Sequence, residues 1–285
     1  MKIKVYHLSG AGNLFTVIDN TDGLLDSSKI AKITPLLTEI NDINKFKSEG
    51  LMLLEQSVNY DFKCEFFNPD GSTGMMCGNG GRAIVRFAKE MGRIEDNIEK
   101  LKFEMANDIY EAEFNGSNIK LYLPKPSLII EKFKIEVENK EVVGTYVDIG
   151  SDHFIVEISS LDLSDINDFD INKYGSLIRY NNKFAKGCNA NFIQIKKDEK
   201  GDYVKLRTYE RGVEAETGAC GTGAVSTAIH CVLNKKVQFP VRISPTSNQE
   251  LIIDYTGGFP NDIKDMILEG PAEIIDSQEI EMSKL

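Results

Sequence analysis

Apolar and polar residues alternate in short runs along most of the chain, which is the pattern of β-strands with one buried face. The runs are rich in β-branched and aromatic residues, and turn signals such as Pro69-Asp70-Gly71 and Thr256-Gly257-Gly258 separate them. Such alternation favours mostly antiparallel sheet. The predicted strands are Ile3–Tyr6, Phe15–Ile18, Leu51–Leu54, Phe62–Phe67, Ile119–Leu123, Val143–Val147, Phe154–Ile158, Asn191–Ile195, Tyr203–Tyr209, Val241–Ile243 and Leu251–Tyr255.

Two segments, Gly80–Met91 and Gly223–Leu233, have the pattern of helices. The first is apolar apart from one narrow polar stripe, and Gly92 follows it as a C-cap. The stripe consists of Arg82, Arg86, Lys89 and Glu90. The second segment contains no Lys, Arg, Asp or Glu, and a helix that is apolar all round must be buried. These patterns predict an α+β fold in which sheet wraps around a nearly buried helix.

A repeated motif opens both predicted helices. It reads Cys77-Gly78-Asn79-Gly80 in the first half of the chain and Cys220-Gly221-Thr222-Gly223 in the second. Each copy follows a strand and a polar turn, and the two copies lie about half the chain apart. Duplication of one unit explains this repeat and predicts two domains, residues 1–124 with 271–285 and residues 125–270.

Composition narrows the class of protein. The chain has 285 residues and a net charge of −11, and this acidic balance argues against a nucleic-acid partner. No apolar run approaches the ~20 residues that a membrane span needs, and the first residues form a strand pattern rather than a signal peptide, so we expect a cytoplasmic protein. Five irregularly spaced cysteines do not suggest a disulfide framework, and no C-x-x-C or H-x-x-x-H spacing suggests a metal site.

The two repeated turns offer a specific chemistry. A cysteine just before a helix sits near converging backbone N–H groups and the positive end of the helix dipole, and both lower the pKa of a thiol. The same N–H groups bind carboxylates. Inverting a carbon next to a carboxylate needs one group that removes a proton and another that delivers one. Two such thiols meet this need without a metal or pyridoxal phosphate, and the N–H donors stabilise the carbanion.

Other interpretations of the same residues are weaker. Residues 78–83 fit the letters of a dinucleotide-binding motif, but the strand–helix–strand context is missing. A cysteine protease could pair one cysteine with His153, which leaves the duplicated cysteine unexplained, and a lone histidine is more often structural. The adjacent Glu210 and Arg211 are either solvated surface or a substrate clamp. The remaining cysteines and histidines lack a matching turn and are interpreted as structural: Cys64, Cys188, Cys231, His7 and His230.

Motifs along essentially the whole chain resemble the diaminopimelate epimerase family. They are Gly10–Asn13, Phe67–Gly71, Met76–Arg82, Asn189–Phe192, Arg207–Gly212, Glu216-Thr217, Ala219–Gly223 and Gly270–Ala272. The resemblance implies a cofactor-independent isomerase that interconverts LL- and meso-diaminopimelate on the route to lysine and peptidoglycan. It also implies two pseudo-symmetric domains, each a mostly antiparallel sheet wrapped around a central buried helix. The implied partner is a small amino-acid substrate, and a homodimer is compatible with the sequence.

The resemblance also assigns roles to individual residues. Cys77 and Cys220 correspond to the catalytic pair, and His153 and Glu210 to catalytic groups that keep the thiols in the right protonation state. The backbone cradle for the reacting carboxylate corresponds to Gly78, Asn79, Gly221 and Thr222. The groups that hold the rest of the substrate correspond to Asn13, Asn68, Asn189, Glu210 and Arg211, and Arg211 would pair the distal carboxylate as a bidentate fork.

The sequence departs from the family pattern at three places. Leu14 stands where the family often has Asp, and Lys45–Gly50 replace a glycine-rich loop. The family's G-N-P-H turn is Gly150-Ser151-Asp152-His153. The altered loop leaves open a racemase for another amino acid, and the two helix N-termini leave open a non-catalytic anion-binding protein.

Overall fold

The computed structural model describes residues 2–41, 44–74 and 76–284. They form two compact units, Met1–Tyr122 with Gly270–Leu285 and Leu123–Glu269. Each unit is mostly sheet with two helices.

Among its described residues the first unit contains seven strands and two helices, and the end of a long C-terminal strand adds to its sheet. Its elements are β1 (Lys2–Gly10), β2 (Asn13–Asp19), α1 (Ser27–Thr38), β3 (Leu51–Glu55), β4 (Phe62–Phe67), α2 (Gly78–Glu90), β5 (Lys100–Met105), β6 (Asp108–Asn115) and β7 (Asn118–Pro124).

The second unit has the same kinds of element. They are β8 (Leu128–Val137), β9 (Lys140–Asp148), β10 (Asp152–Glu157), α3 (Ile171–Arg179), β11 (Asn189–Asp198), β12 (Gly201–Glu210), β13 (Ala215–Glu216), α4 (Gly221–Leu233), β14 (Val241–Ser244) and β15 (Leu251–Gly258). The long strand β16 (Asp262–Glu281) begins in this unit, and short 3-10 turns cover Ile158–Leu161 and Met282–Lys284.

The sheets of the two units repeat one pattern of strand directions. In the first, neighbouring strands are antiparallel from β16 through β7, except that β2 pairs with β3 and β4 with β5 in parallel. In the second, neighbours are antiparallel from β8 to β16, except that β10 pairs with β11 and β12 with β14 in parallel. The parallel pairs fall at matching places, and along the chain one α-helix lies between the two strands of each pair. The duplication inferred from the two motifs is therefore present in the topology.

Each sheet packs on one buried helix. In α4, Gly223 to Cys231 are buried without interruption, and strands β9 to β12, β14 and β15 pack against it. In α2, the residues from Gly78 to Val85 are all buried. Small side chains let the surrounding strands approach each helix closely, and the α+β fold expected from the sequence is confirmed.

Several elements were not predicted. The helix α1 contains Pro35 and starts at the N-cap Asp26, and α3 contains Gly175, where a Cβ would lie 2.4 Å from the Tyr209 ring. The buried residues of both segments follow helical spacing, but a proline inside α1 and a glycine inside the short α3 argue against a helix in the sequence. The strands β5, β6, β8, β13 and β16 were also missed, although the residues of β5 alternate regularly; β8 is largely exposed, β13 has two residues, and Pro271 lies within β16. The helices α2 and α4 both begin two residues earlier than predicted, directly after the cysteine of each motif.

Candidate functional site

Each repeated cysteine is the N-cap residue of a buried helix. Cys77 precedes α2 and Cys220 precedes α4, and both have extended backbone angles. The first N–H groups of a helix lack intrahelical acceptors, and the dipole there is positive. Both thiols therefore lie where a thiolate and a bound carboxylate are stabilised, as the motif predicts.

The surroundings of Cys220 include a buried carboxyl group. Glu210, the last residue of β12, accepts a hydrogen bond from Thr217 Oγ1 at 2.7 Å and another from the Cys220 thiol. Burial raises the pKa of Glu210, and these two hydrogen bonds only partly oppose that shift. On its other side, Cys220 Sγ lies 3.7 Å from Thr222 Oγ1. The carboxyl group can thus exchange a proton with the Cys220 sulfur directly.

His153 reaches Cys220 through a hydroxyl group rather than by direct contact. Its Nε2 lies 2.9 Å from Ser151 Oγ and 3.0 Å from Thr222 Oγ1. Burial, aided by the positive charge of Arg211, lowers the pKa of His153 to about 3. The imidazole is therefore neutral at physiological pH, and it acts as a hydrogen-bonding group rather than as a cation.

Asn191 determines which nitrogen of His153 carries the proton. Its Oδ1 accepts from Thr208 Oγ1 at 3.0 Å, and the two N–H groups of its Nδ2 are shared among three acceptors, the carbonyl groups of Phe154 and Asn189 and the ring of His153. The same Nδ2 lies 3.1 Å from His153 Nδ1. Because an amide nitrogen only donates, Nδ1 must accept and Nε2 must carry the proton. Asn191 lies in a motif that the sequence singled out, but nothing in the sequence indicated this role.

Arg211 is held by its neighbours. Its Nη1 lies 2.7 Å from Asp152 Oδ2, and its backbone N–H donates to Asn189 Oδ1 at 2.9 Å. Asp152 also accepts a hydrogen bond from the Tyr146 hydroxyl group. Burial acts to raise the pKa of Asp152, but the Tyr146 and Arg211 hydrogen bonds and the Arg211 charge outweigh it, so the pKa is lowered. The second unit thus brings Cys220, Thr222, His153, Glu210, Asn189 and Arg211 together.

The start of α2 forms a second polar cluster. Cys77 Sγ accepts a hydrogen bond from the Gly80 N–H at 3.5 Å. Arg82 donates through Nη2 to Asn79 Oδ1 at 2.7 Å and through Nη1 to the Gly78 carbonyl at 3.2 Å. Arg82 is completely buried, so the predicted polar stripe of this helix begins only at Arg86. The helical period predicted an exposed position for Arg82 and did not indicate that its side chain bends back toward the start of the helix.

Asn13 and Asn68 have hydrogen bonds within the first unit. Asn13 begins β2, where it pairs with Gly10, and its Nδ2 donates to Glu49 Oε2 at 2.9 Å. The backbone of Asn79, at the start of α2, lies close to Gly10: a Cβ on Gly10 would be 2.3 Å from the Asn79 carbonyl oxygen. Because Asn13 pairs with Gly10, Asn13 also lies near the start of α2. Asn68 directs its Nδ2 to Ser72 Oγ at 2.9 Å in the loop after β4.

The other cysteines and histidines are enclosed in the cores. Cys64 and Cys188 are buried, and burial raises the pKa of both thiols. Burial likewise raises the pKa of Cys231 to about 12. His7 is hydrogen-bonded to Asn44 and His230 to Thr145.

Residues 2–41, 44–74 and 76–284 contain no helix that is long and apolar enough to cross a membrane. The same residues contain no group of three or more His, Cys, Asp or Glu side chains arranged to hold a metal ion.

Solved structures share this fold at low sequence identity. A phenazine biosynthesis protein of the PhzF family from Bacillus anthracis matches with a TM-score of 0.75 and 14% identity, covering 99% of this chain and 100% of that one. A hydroxyproline epimerase from Agrobacterium vitis, solved with bound trans-4-hydroxy-L-proline, matches with a TM-score of 0.70 and 15% identity, covering 99% and 93%. These likenesses define the fold class, a duplicated α+β fold.

Sequence relatives define the family. The diaminopimelate epimerase family model matches residues 5–128 and 145–259. A diaminopimelate epimerase from Aquifex aeolicus is 37% identical over 94% of both chains, and one from Chlorobaculum tepidum is 36% identical over 94% of this chain and 97% of its own. The chain belongs to the diaminopimelate epimerase family and is an isomerase. This membership confirms the resemblance and favours an enzyme over the non-catalytic alternative.

Proposed function

We propose that the chain converts LL-diaminopimelate to meso-diaminopimelate in lysine biosynthesis, with Cys77 and Cys220 as its two proton-transferring groups. The observation that carries the proposal is that both cysteines are N-cap residues of buried helices at matching positions of a duplicated fold. The names of the relatives supply the substrate. Cytoplasmic location and the absence of a cofactor belong to the same proposal.

In this reaction one thiolate takes the α-hydrogen as a proton, and the other thiol delivers a proton to the opposite face of the carbon. The carbanion between these steps spreads its charge onto the α-carboxylate. The first amides of α2 and α4, at Gly78, Asn79, Gly221 and Thr222, are donors suited to that charge. Glu210 would exchange a proton with Cys220, and His153 would orient Thr222 beside it.

The substrate's distal end needs separate recognition. Arg211 can pair a carboxylate, and Asn189 orients its backbone. Asn13 and Asn68 would supply amide groups from the first unit. We assign these four side chains to substrate binding.

The test is proton exchange in heavy water. Wild-type protein should convert LL-diaminopimelate to the meso form and incorporate deuterium at one stereocentre, followed by NMR and chiral chromatography. Cys77→Ala and Cys220→Ala should each abolish the interconversion. Cys64→Ala removes a buried thiol outside the proposed site and is the matched control, so it should retain interconversion. Absence of exchange by folded wild-type protein would refute the proposal.

One observation favours a second candidate, a racemase for another amino acid. Asp152 forms an ion pair with Nη1 of Arg211, the guanidinium group that would bind the distal carboxylate of diaminopimelate. An amino acid without a distal carboxylate would leave this ion pair in place. Exchange measured across a panel of amino acids distinguishes the two candidates, because activity confined to diaminopimelate excludes the second.

A further inference from the structure

A completely buried arginine lies close to the start of α2. Arg82 is the fifth residue after Cys77, and both of its hydrogen bonds go to the first helical turn, at Asn79 Oδ1 and the Gly78 carbonyl. Helical side chains lean toward the N-terminus of their helix, which explains this direction. The guanidinium charge is therefore placed at the helix end that carries Cys77.

No carboxylate among the described residues pairs with this charge. Both hydrogen-bond acceptors of Arg82 are neutral, and its buried Nε has no hydrogen-bond partner within the described chain. A buried charge without a counter-charge is unfavourable. Burial lowers the pKa of Arg82 to about 10, while negative charge on Cys77 acts in the opposite direction. The group is still a cation at neutral pH, and a Cys77 thiolate is a suitable counter-charge.

Charged and titratable groups on the elements around α2 interact elsewhere. The strands β1, β2 and β3 pack against this helix. Glu49, which precedes β3, accepts a hydrogen bond from Asn13. The other interactions are Asp19 with Arg93, Glu55 with Lys63, Lys2 with Glu279, Lys4 with Tyr6 and His7 with Asn44, and on α2 itself Lys89 with Asp96 and Arg86 with Glu90. Arg82 is thus the cation that the helix directs at its own first turn.

The start of α4 has the opposite electrostatic character. The fifth residue after Cys220 is Val225, which carries no charge. In place of a cation, the carboxyl group of Glu210 is hydrogen-bonded to Cys220. Two matching turns of a duplicated fold therefore differ in the sign of the charged group that each holds near its cysteine.

We propose that Arg82 is a positioning residue that keeps Cys77 as a thiolate in the resting protein and orients the Asn79 amide, whereas Cys220 rests as a thiol beside Glu210. This assignment rests on the proposed function. For the isomer whose α-hydrogen faces Cys77, the thiolate takes that hydrogen as a proton and leaves the electron pair on carbon. The Cys220 S–H bond then breaks, its proton bonds to the opposite face, and the charge stays on Cys220 until protons redistribute through solvent.

The test is the pH dependence of alkylation. Wild-type protein, Arg82→Met, Arg82→Lys and the control Arg86→Met are treated with iodoacetamide across a pH series, and modification of Cys77 and Cys220 is quantified by peptide mass spectrometry. In wild-type protein the Cys77 midpoint should lie below that of Cys220. Arg82→Met should raise the Cys77 midpoint by about 1–2 pH units, as expected for loss of a nearby opposite charge, and leave Cys220 in place. Arg82→Lys should retain most of the wild-type midpoint, and Arg86→Met all of it.

Two results overturn the inference. One is a Cys77 midpoint at or above that of Cys220 in wild-type protein, and the other is an unchanged Cys77 midpoint in folded Arg82→Met. If Arg82→Met does not fold, the wild-type comparison and Arg82→Lys decide the question. Alkylation does not depend on turnover, so unchanged midpoints with normal substrate exchange would refute only the role of Arg82. The expected midpoints without any exchange would refute only the proposed function.

Discussion

The third residue of each repeated turn after its cysteine is glycine, and the two glycines have different space around them. A Cβ on Gly80 would meet Cys77 Cβ, Met52 Sδ and the Phe15 ring at 3.5 Å, which is ordinary van der Waals contact. A Cβ on Gly223 would lie 2.6 Å from Asn191 Oδ1 and 3.2 Å from Cys220 Cβ and Sγ. Alanine is therefore expected to have opposite effects at two equivalent positions.

These distances set the expected change in the free energy of unfolding for each variant. Gly80→Ala removes backbone freedom from the unfolded chain without a clash, so it should raise the free energy of unfolding by about 0.5–1 kcal/mol. In Gly223→Ala the new methyl carbon would lie roughly 0.7 Å closer to Asn191 Oδ1 than the about 3.3 Å of an ordinary C–H···O contact. The Asn191 amide is fully buried and takes part in four hydrogen bonds, so it has no free direction to move. Overpacking there should lower the free energy of unfolding by about 1–3 kcal/mol.

Thermal unfolding followed by calorimetry or circular dichroism tests this difference. One kcal/mol corresponds to roughly 2–4 °C for a protein of 150–250 residues, so the two variants should differ by on the order of 5–10 °C. Gly223→Ala should also slow substrate exchange, because Asn191 contacts His153. Equal melting temperatures for the two variants, with Gly223→Ala as active as wild-type protein, would show that the packing argument is wrong.

The remaining predictions concern polar groups near Cys220. Asn191→Asp replaces a donor by an acceptor beside His153 and should move the imidazole proton from Nε2 to Nδ1, which ¹⁵N NMR detects. The loss of one buried hydrogen bond should lower kcat roughly tenfold. An unchanged tautomer would contradict this prediction. Asp152→Asn and Glu210→Gln should change stability with opposite dependence on pH, measured by urea unfolding. Because folding lowers the pKa of Asp152, the contribution of this carboxylate to stability is present above its unfolded pKa and is lost as the pH falls. Asp152→Asn should therefore lower the free energy of unfolding by about 1 kcal/mol at pH 7, and by less near pH 3. Because burial raises the pKa of Glu210, Glu210→Gln should be more stable than wild-type protein at pH 7 and equal to it below pH 4. The same sign of pH dependence for both carboxyl variants would contradict their assigned environments.

Sequence patterns predicted the parts of this molecule that depend on local periodicity and on repetition. The buried character of α4 follows from the lack of charged residues between Gly223 and Leu233. The duplicated fold follows from two C-G-x-G motifs. Both features are properties of short segments, so they can be inferred without knowing which segments meet.

Features that depend on tertiary contacts were not predictable in this way. Arg82 falls in a polar stripe by its position in the helical period, yet its side chain is completely buried in a helix against which β1, β2 and β3 pack. Asp152 appeared only as a departure from a family pattern, and its ion pair with Arg211 joins residues 59 positions apart. The role of Asn191 requires the register that places β10 beside β11. In each case the deciding neighbour is distant in sequence.

Duplication alone would give two helix starts with equal affinity for a proton, which does not suit the reaction proposed here. A two-base inversion begins with one thiolate and one thiol, so the two positions must differ before substrate binds. Both helices supply the same dipole and the same kind of backbone amide, and these cannot create the difference. The side chains can, because the first turn has the buried cation Arg82 and the second has the carboxyl group of Glu210. Replacing the charged group of Arg82 or of Glu210 should therefore disturb the proton distribution between the two thiols while leaving the duplicated backbone unchanged.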